Sequence, residues 1–342
     1  MNPIMTSLIL SSLALGTVIT MTSHHWLLAW MGLELNTLAI IPIIAKQHHP
    51  RGAEAATKYF LVQAAASASV LFSSMINAWM TGTWDITQLT SQPASTMLTL
   101  ALSMKLGLAP LHFWLPEVLQ GSSLKTALII ATWQKLAPLA LLYLIHDSLN
   151  PLILMTMGLL STMLGGWGGL NQTQTRKIMA YSSIAHLGWM ATVTTLSPNI
   201  MLLNLTLYLL MTLSTFLMLT STSSKTIKDL TTTWTISPMI SAMLLVLLMS
   251  MAGLPPLTGF MPKWLILQEL TSHNLMMVAT TLAISSLLSL FFYLRLAYTT
   301  TLTLSPTTTQ NKLKWRFSPK QKTTILSMTL IMATLLLPST PS

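Results

Sequence analysis

Apolar runs of about twenty residues, the length of helix that crosses a hydrocarbon core roughly 30 Å thick, recur from one end of the sequence to the other. They lie near residues 3 to 21, 26 to 45, 57 to 79, 94 to 119, 124 to 145, 150 to 170, 177 to 196, 200 to 222, 237 to 270, 275 to 298 and 323 to 339. Only 7% of the 342 residues are charged and 52% are hydrophobic, against roughly 25% charged in an ordinary soluble domain. So few charges cannot cover a soluble surface, and the expected fold is an all-α polytopic membrane protein with about eleven transmembrane helices. No basic n-region, cleavage site or Arg-rich transit segment precedes the first run, so no targeting peptide is expected. The sequence has no Cys, which leaves this chain without disulfides, thiol catalysis or cysteine-held iron–sulfur clusters.

The formal charge is +10, yet the basic residues are not gathered on one amphipathic face, and nucleic acid is not the expected partner. Threading the runs sends the loops alternately to two sides. Every Lys and Arg in the loops or at the ends of the spans then falls on the side of the N-terminus, from Lys46, Arg51 and Lys58 through Lys125, Arg176, Lys177, Lys225, Lys228 and Arg295 to Lys312, Lys314, Arg316, Lys320 and Lys322. By the positive-inside rule that side is cytoplasmic or matrix, and a missed helix would have scrambled the pattern beyond it.

Two runs are anomalous. Residues 237 to 270 would make a straight helix of about 50 Å and residues 94 to 119 one of about 39 Å, each too long for one crossing and too short for two. Gly107 and Pro110 interrupt one, and Gly253, Pro255 and Pro256 the other. Proline removes a backbone donor and clashes with the preceding turn, so both are expected to be broken helices, the usual mark of an ion or substrate site at membrane depth. At one constant offset, Gly107, Leu108, Pro110, Leu111 and Pro116 coincide with Gly253, Leu254, Pro256, Leu257 and Pro262. The two runs are the fourth and ninth, an odd number apart, so the repeat is expected to be inverted, with a first half at about 1–145, a second at about 150–298 and a last helix at about 323–339.

Four charges lie inside the runs well away from their ends or beside a break: Glu34 in the second, Lys105 in the fourth, Lys135 in the fifth and Lys263 in the ninth. An ionised residue at a helix centre costs roughly 2.5 to 3.5 kcal/mol on insertion scales, so together they need pairing, water or neutralisation. Burial of an ammonium favours its neutral form, and a neutral buried lysine can accept and release a proton near neutral pH. Glu34 with Lys105 is the expected ion pair, tuning Lys135, with Lys263 further along the same path. His112, just after the first break, and His186, in the seventh run, are candidates for a water wire or equally for satisfied core positions. No His or carboxylate set has metal-ligand spacing. The run Gly165 to Gly169 does not follow a strand, so it is expected to serve helix packing and not a dinucleotide.

The stretches Met31 to Pro42 (MGLELNTLAIIP), Lys105 to Glu117 (KLGLAPLHFWLPE), Arg176 to Trp189 (RKIMAYSSIAHLGW) and Ala252 to Trp264 (AGLPPLTGFMPKW) resemble the antiporter-like membrane subunits of respiratory complex I. The resemblance runs from end to end and fits the vertebrate mitochondrial form, which lacks three helices present in bacterial relatives. It implies a place in the mitochondrial inner membrane, with other membrane-arm subunits, lipid and protons as partners and the N-terminus on the matrix side. It also implies that NADH, FMN, iron–sulfur clusters and ubiquinone are handled by other subunits, with no cofactor or metal on this chain. The family's charged axis, which carries one proton channel, maps onto Glu34, Lys105, Lys135 and Lys263. A free-standing cation/proton antiporter and a non-transporting scaffold are the alternatives that the residues by themselves leave open.

Overall fold

The computed structural model describes residues 3–47, 49–303 and 324–335. His48, the basic residues Lys312, Lys314, Arg316, Lys320 and Lys322, and the end of the last expected span lie outside the described residues. The first crossings are α1 (Pro3–Thr22), α2 (Trp26–Ile44) and α3 (Pro50–Thr81). The fourth expected span is divided into α4 (Gln92–Leu106) and α5 (Trp114–Gly121), and the fifth into α6 (Leu124–Ala131) and α7 (Trp133–Leu144). Then come α8 (Pro151–Gly169), α9 (Thr175–Val193) and α10 (Pro198–Thr222), followed by the short α11 (Ile227–Thr231) and α12 (Thr233–Ile236). The ninth span is divided into α13 (Pro238–Ala252) and α14 (Phe260–Ser272), and α15 (Met276–Leu302) and α16 (Thr324–Leu335) complete the set. Among the described residues the only β-pairing is two isolated bridges, His25 with Asp85 and Gln174 with Thr226.

Both long runs break where glycine and proline predicted. The fifth span carries an interruption that was not foreseen, at Thr132, whose hydroxyl donates to the Leu128 carbonyl at 2.7 Å. Such side-chain back-bonding competes with the helix ladder, and Pro138 within α7 removes a further backbone donor from the same span. Among the described residues seven helical stretches are long and apolar enough to cross a membrane, and Leu124–Leu144 counts as one of them despite its interruption.

Hydroxyls follow one rule through most of these helices. Ser67 donates to Ala64, Ser73 to Val70, Thr99 to Thr96, Ser182 to Met179, Ser214 to Met211 and Ser250 to Leu247, each within its own helix. In hydrocarbon an unsatisfied donor costs several kcal/mol, about 2 to 7 for a hydroxyl, so a span rich in Ser and Thr stays insertable only if they are satisfied locally. Outward faces are apolar: Leu8, Leu15, Leu28, Leu38, Leu61, Phe72, Leu152 and Leu287 are all exposed, the surface that lipid tails accept.

The described residues gather into two compact units, those within 1–161 and 187–198 and those within 162–186 and 199–342. In the first, α3 packs on α2, α4 and α5, and α7 on α1, α2 and α4. Helices α1 and α2 cross at Gly16 and Gly32, where a Cβ on Gly16 would stand 2.9 Å from the Gly32 carbonyl oxygen and one on Gly32 would stand 2.8 Å from that of Gly16. Helix association in lipid gains from such close backbone approach because no hydrophobic drive separates helix from lipid.

In the second unit α13 packs on α12, α15 and α16. The glycine run serves packing there, as expected: a Cβ on Gly165 would lie 2.8 Å from the Ala185 nitrogen of α9, and one on Gly166 2.8 Å from Leu288 Cβ of α15. The α11 turn opens with a capping box between Thr226 and Asp229. Burial pushes the Asp229 carboxyl up, but the N–H groups of Thr226 and Lys225 outweigh it and leave that carboxyl below its ordinary value.

Candidate functional site

Helix α4 ends in a left-handed glycine, Gly107, at φ 78°. The Gly107 N–H donates to Met104 at 3.2 Å and the Leu108 N–H to Ser103 at 2.9 Å, the paired bonds of a Schellman stop. The last carbonyls of α4 are thereby turned into the protein interior, two residues past Lys105. Gln63 of α3 donates its Nε2 to the Lys105 carbonyl at 3.4 Å, and the Trp114 indole N–H donates to the Met104 carbonyl at 3.2 Å.

Lys135, on the first turn of α7, is 1% exposed. Its ammonium donates to the Leu106 carbonyl, the final one of α4. It also stands 5.5 Å from the centre of the Trp114 ring, a cation–π distance. Cations are favoured at helix C-termini, where the unpaired carbonyls carry partial negative charge. Among the described residues no carboxylate lies within ion-pair distance of Lys135.

Lys105 and Lys135 border one small interior cavity, about 10 Å³, shared with Asn36, Thr37, Tyr59, Gln63, Trp114 and Gln134. That is about the space a single water needs, given two or more polar partners. The partners are present: Lys105 Nζ and both amide atoms of Asn36 are buried with no hydrogen-bond partner. Tyr59 and Gln134 continue the polar lining, the Tyr59 hydroxyl donating to Gln134 Oε1 at 3.4 Å.

Glu34 sits one helical turn before Thr37, whose hydroxyl approaches its Oε2 at 3.4 Å. The expected contact with Lys105 is not formed in this state, since the Lys105 ammonium has no partner. His112 is buried in the break between α4 and α5, its ring 4.4 Å from that of Phe113. The amides Asn36, Gln63 and Gln134 were not singled out from the sequence. The signal was there, in polar amides set within otherwise apolar spans.

The second unit repeats the stop. Gly253 ends α13 at φ 81°, with its N–H on Ser250 at 3.0 Å and the Leu254 N–H on Met249 at 3.4 Å. These are the same bonds at the positions that the sequence repeat aligns with 103, 104, 107 and 108. Lys263, on the first turn of α14, donates to the Ala252 carbonyl at 2.7 Å. Ala252 aligns with Leu106, so each unit docks a lysine on the equivalent last carbonyl of its broken helix. His186 is 7% exposed, its ring 5.6 Å from that of Tyr208, and the Lys263 charge acts on it. Among the described residues no group of three or more His, Cys, Asp or Glu could hold a metal ion.

Broken apolar helices with lysines at their carbonyl ends define an antiporter-like membrane protein. Comparison with known proteins makes this specific. Residues 23–289 match the family described as NADH:quinone oxidoreductase/Mrp antiporter, and residues 290–342 match the NADH dehydrogenase subunit 2 C-terminus. The NADH-ubiquinone oxidoreductase chain 2 of Xenopus laevis is 58% identical over 100% of this chain and 99% of its own length, and that of Oncorhynchus mykiss is 58% identical over 100% and 98%. Among solved structures, a chain of respiratory complex I from Thermus thermophilus matches with TM-score 0.82 at 29% identity, over 97% of this chain and 79% of its own. A chain of the Mrp complex from Dietzia shares the fold alone, with TM-score 0.77 at 19% identity, over 85% of this chain and 59% of its own. The chain belongs to the NADH-ubiquinone oxidoreductase chain 2 family.

Proposed function

We propose that the chain is a core membrane-arm subunit of respiratory complex I in the mitochondrial inner membrane, its N-terminus on the matrix side, and that it carries one proton path coupled to NADH:ubiquinone electron transfer. NADH, FMN, iron–sulfur clusters and ubiquinone are assigned to other subunits, and lipid and neighbouring membrane-arm subunits are its surroundings. The observation that carries the reading is Lys135: fully buried, without a carboxylate partner, docked on a helix-end carbonyl beside a polar cavity that also holds Lys105. An ammonium so placed has an acceptor but no fixed counter-charge, which suits a group that gains and loses a proton.

In this reading protons enter from the side of the basic loops and load Lys135. Each proton then passes to Lys263 and leaves on the far side, with His112 and His186 on the water wire. Glu34 moving on to or off Lys105 sets how strongly the local field favours the charged form of Lys135. The halves at about 1–145 and 150–298 are taken as two copies of one device, which the shared Schellman stops at Gly107 and Gly253 support.

The first test is native electrophoresis of mildly solubilised source membranes, with the chain located by mass spectrometry and the gel stained for NADH oxidation. Co-migration with a large NADH-oxidising assembly is expected. Migration as a small species apart from that activity would overturn the assignment in favour of a free-standing antiporter.

A further inference from the structure

We propose that Gly253 is a positioning residue for Lys263, holding open the space in which the lysine reaches the end of α13. The inference rests on the reading that Lys263 carries a proton. A Cβ built on Gly253 would stand 2.8 Å from Lys263 Nζ and 3.0 Å from both Cδ and Cε. The same Nζ donates to the Ala252 carbonyl at 2.7 Å. The residue that stops the helix is thus also the residue over which the lysine folds back, and a Cβ there requires the ammonium to shift.

Gly107 separates the two demands. It has the same left-handed backbone, φ 78° against 81°, and the same pair of stop bonds. A Cβ there would meet the Leu115 and Trp114 side chains first, at 3.3 Å. The turn therefore explains a glycine at both positions, whereas of the two it is Gly253 whose nearest neighbours are the atoms of a lysine. The Lys263 charge acts on His186 in the same unit.

The test is made in intact complex I of a genetically tractable relative whose aligned subunit carries the same glycine and lysine. Gly253→Ala, Gly253→Asn and Lys263→Ala are compared for assembly on native gels, NADH oxidation, protons moved per NADH, and the pH profile of pumping. Asn is included because it tolerates positive φ better than Ala while still placing a Cβ in the lysine's space. The expected result is an assembled Gly253→Asn complex whose proton yield falls towards that of Lys263→Ala and whose pH profile of pumping moves. A wild-type yield and profile in Gly253→Asn, alongside a defective Lys263→Ala, would overturn the positioning role and leave the proton path standing. Full yield in Lys263→Ala would overturn the path itself. Loss of assembly in Gly253→Asn would assign the glycine to folding and also overturn the proposal.

Discussion

Lys135 shows how a single buried charge is accommodated where no carboxylate is at hand. Its acceptor is a backbone carbonyl, Leu106, freed because Gly107 turns the chain away from the helix axis. Replacing Lys135 by Ala removes a buried charge and leaves that carbonyl unpaired. The second effect costs about 1 to 3 kcal/mol and the first offsets it in part, so the complex is expected to assemble. Proton yield per NADH is expected to fall while the flavin-bearing part of the complex goes on oxidising NADH with an artificial acceptor. Full coupled yield in the assembled Lys135→Ala complex would sink the role given to this lysine. The four charges themselves were legible in the sequence because charges are so scarce in apolar spans. Their acceptors were not legible, because every residue offers a backbone carbonyl and only the fold decides which is left unpaired.

Between helices, contact is governed by how closely two backbones can come together. Gly32 faces Gly16 so tightly that a Cβ on it would lie 2.6 Å from Thr20 Cγ2 as well as 2.8 Å from the Gly16 carbonyl oxygen. Gly32→Val should separate α1 from α2 and cost about 1 to 3 kcal/mol, the usual range for overpacking. The measurement is the temperature at which the solubilised complex loses this chain, compared with a Leu28→Val control on an exposed face. An unchanged temperature would show that the crossing yields freely. Most element boundaries could be read from glycine and proline, which act through the backbone and leave their mark in any solvent. The interruption at Thr132 could not, because the same threonine bond to the carbonyl four residues back leaves α10 unbroken at Thr212. Which face of each span turns inward was equally hidden, since lipid-facing and buried positions are both apolar and the amphipathic signal vanishes.

For the molecule as a whole, the alternation of basic loops predicts a fixed orientation in the membrane. The absence of cysteine makes the check direct, since a single introduced cysteine has no background on this chain. Thiols placed at Ser123 and Ser223 should react with an impermeant reagent added on the matrix side. Thiols at Thr83 and Ser148 should react only from the opposite side. Labelling of all four from one side would refute the threading.

The local satisfaction of hydroxyl groups has a mechanical result at this scale. Because most Ser and Thr side chains bond within their own helix, few hydrogen bonds have to be broken when one helix of a unit slides a fraction of an ångström along its neighbour. What holds the helices of a unit in register is then close backbone packing, as at Gly16 and Gly32, together with ties such as those where lysines grip the broken ends.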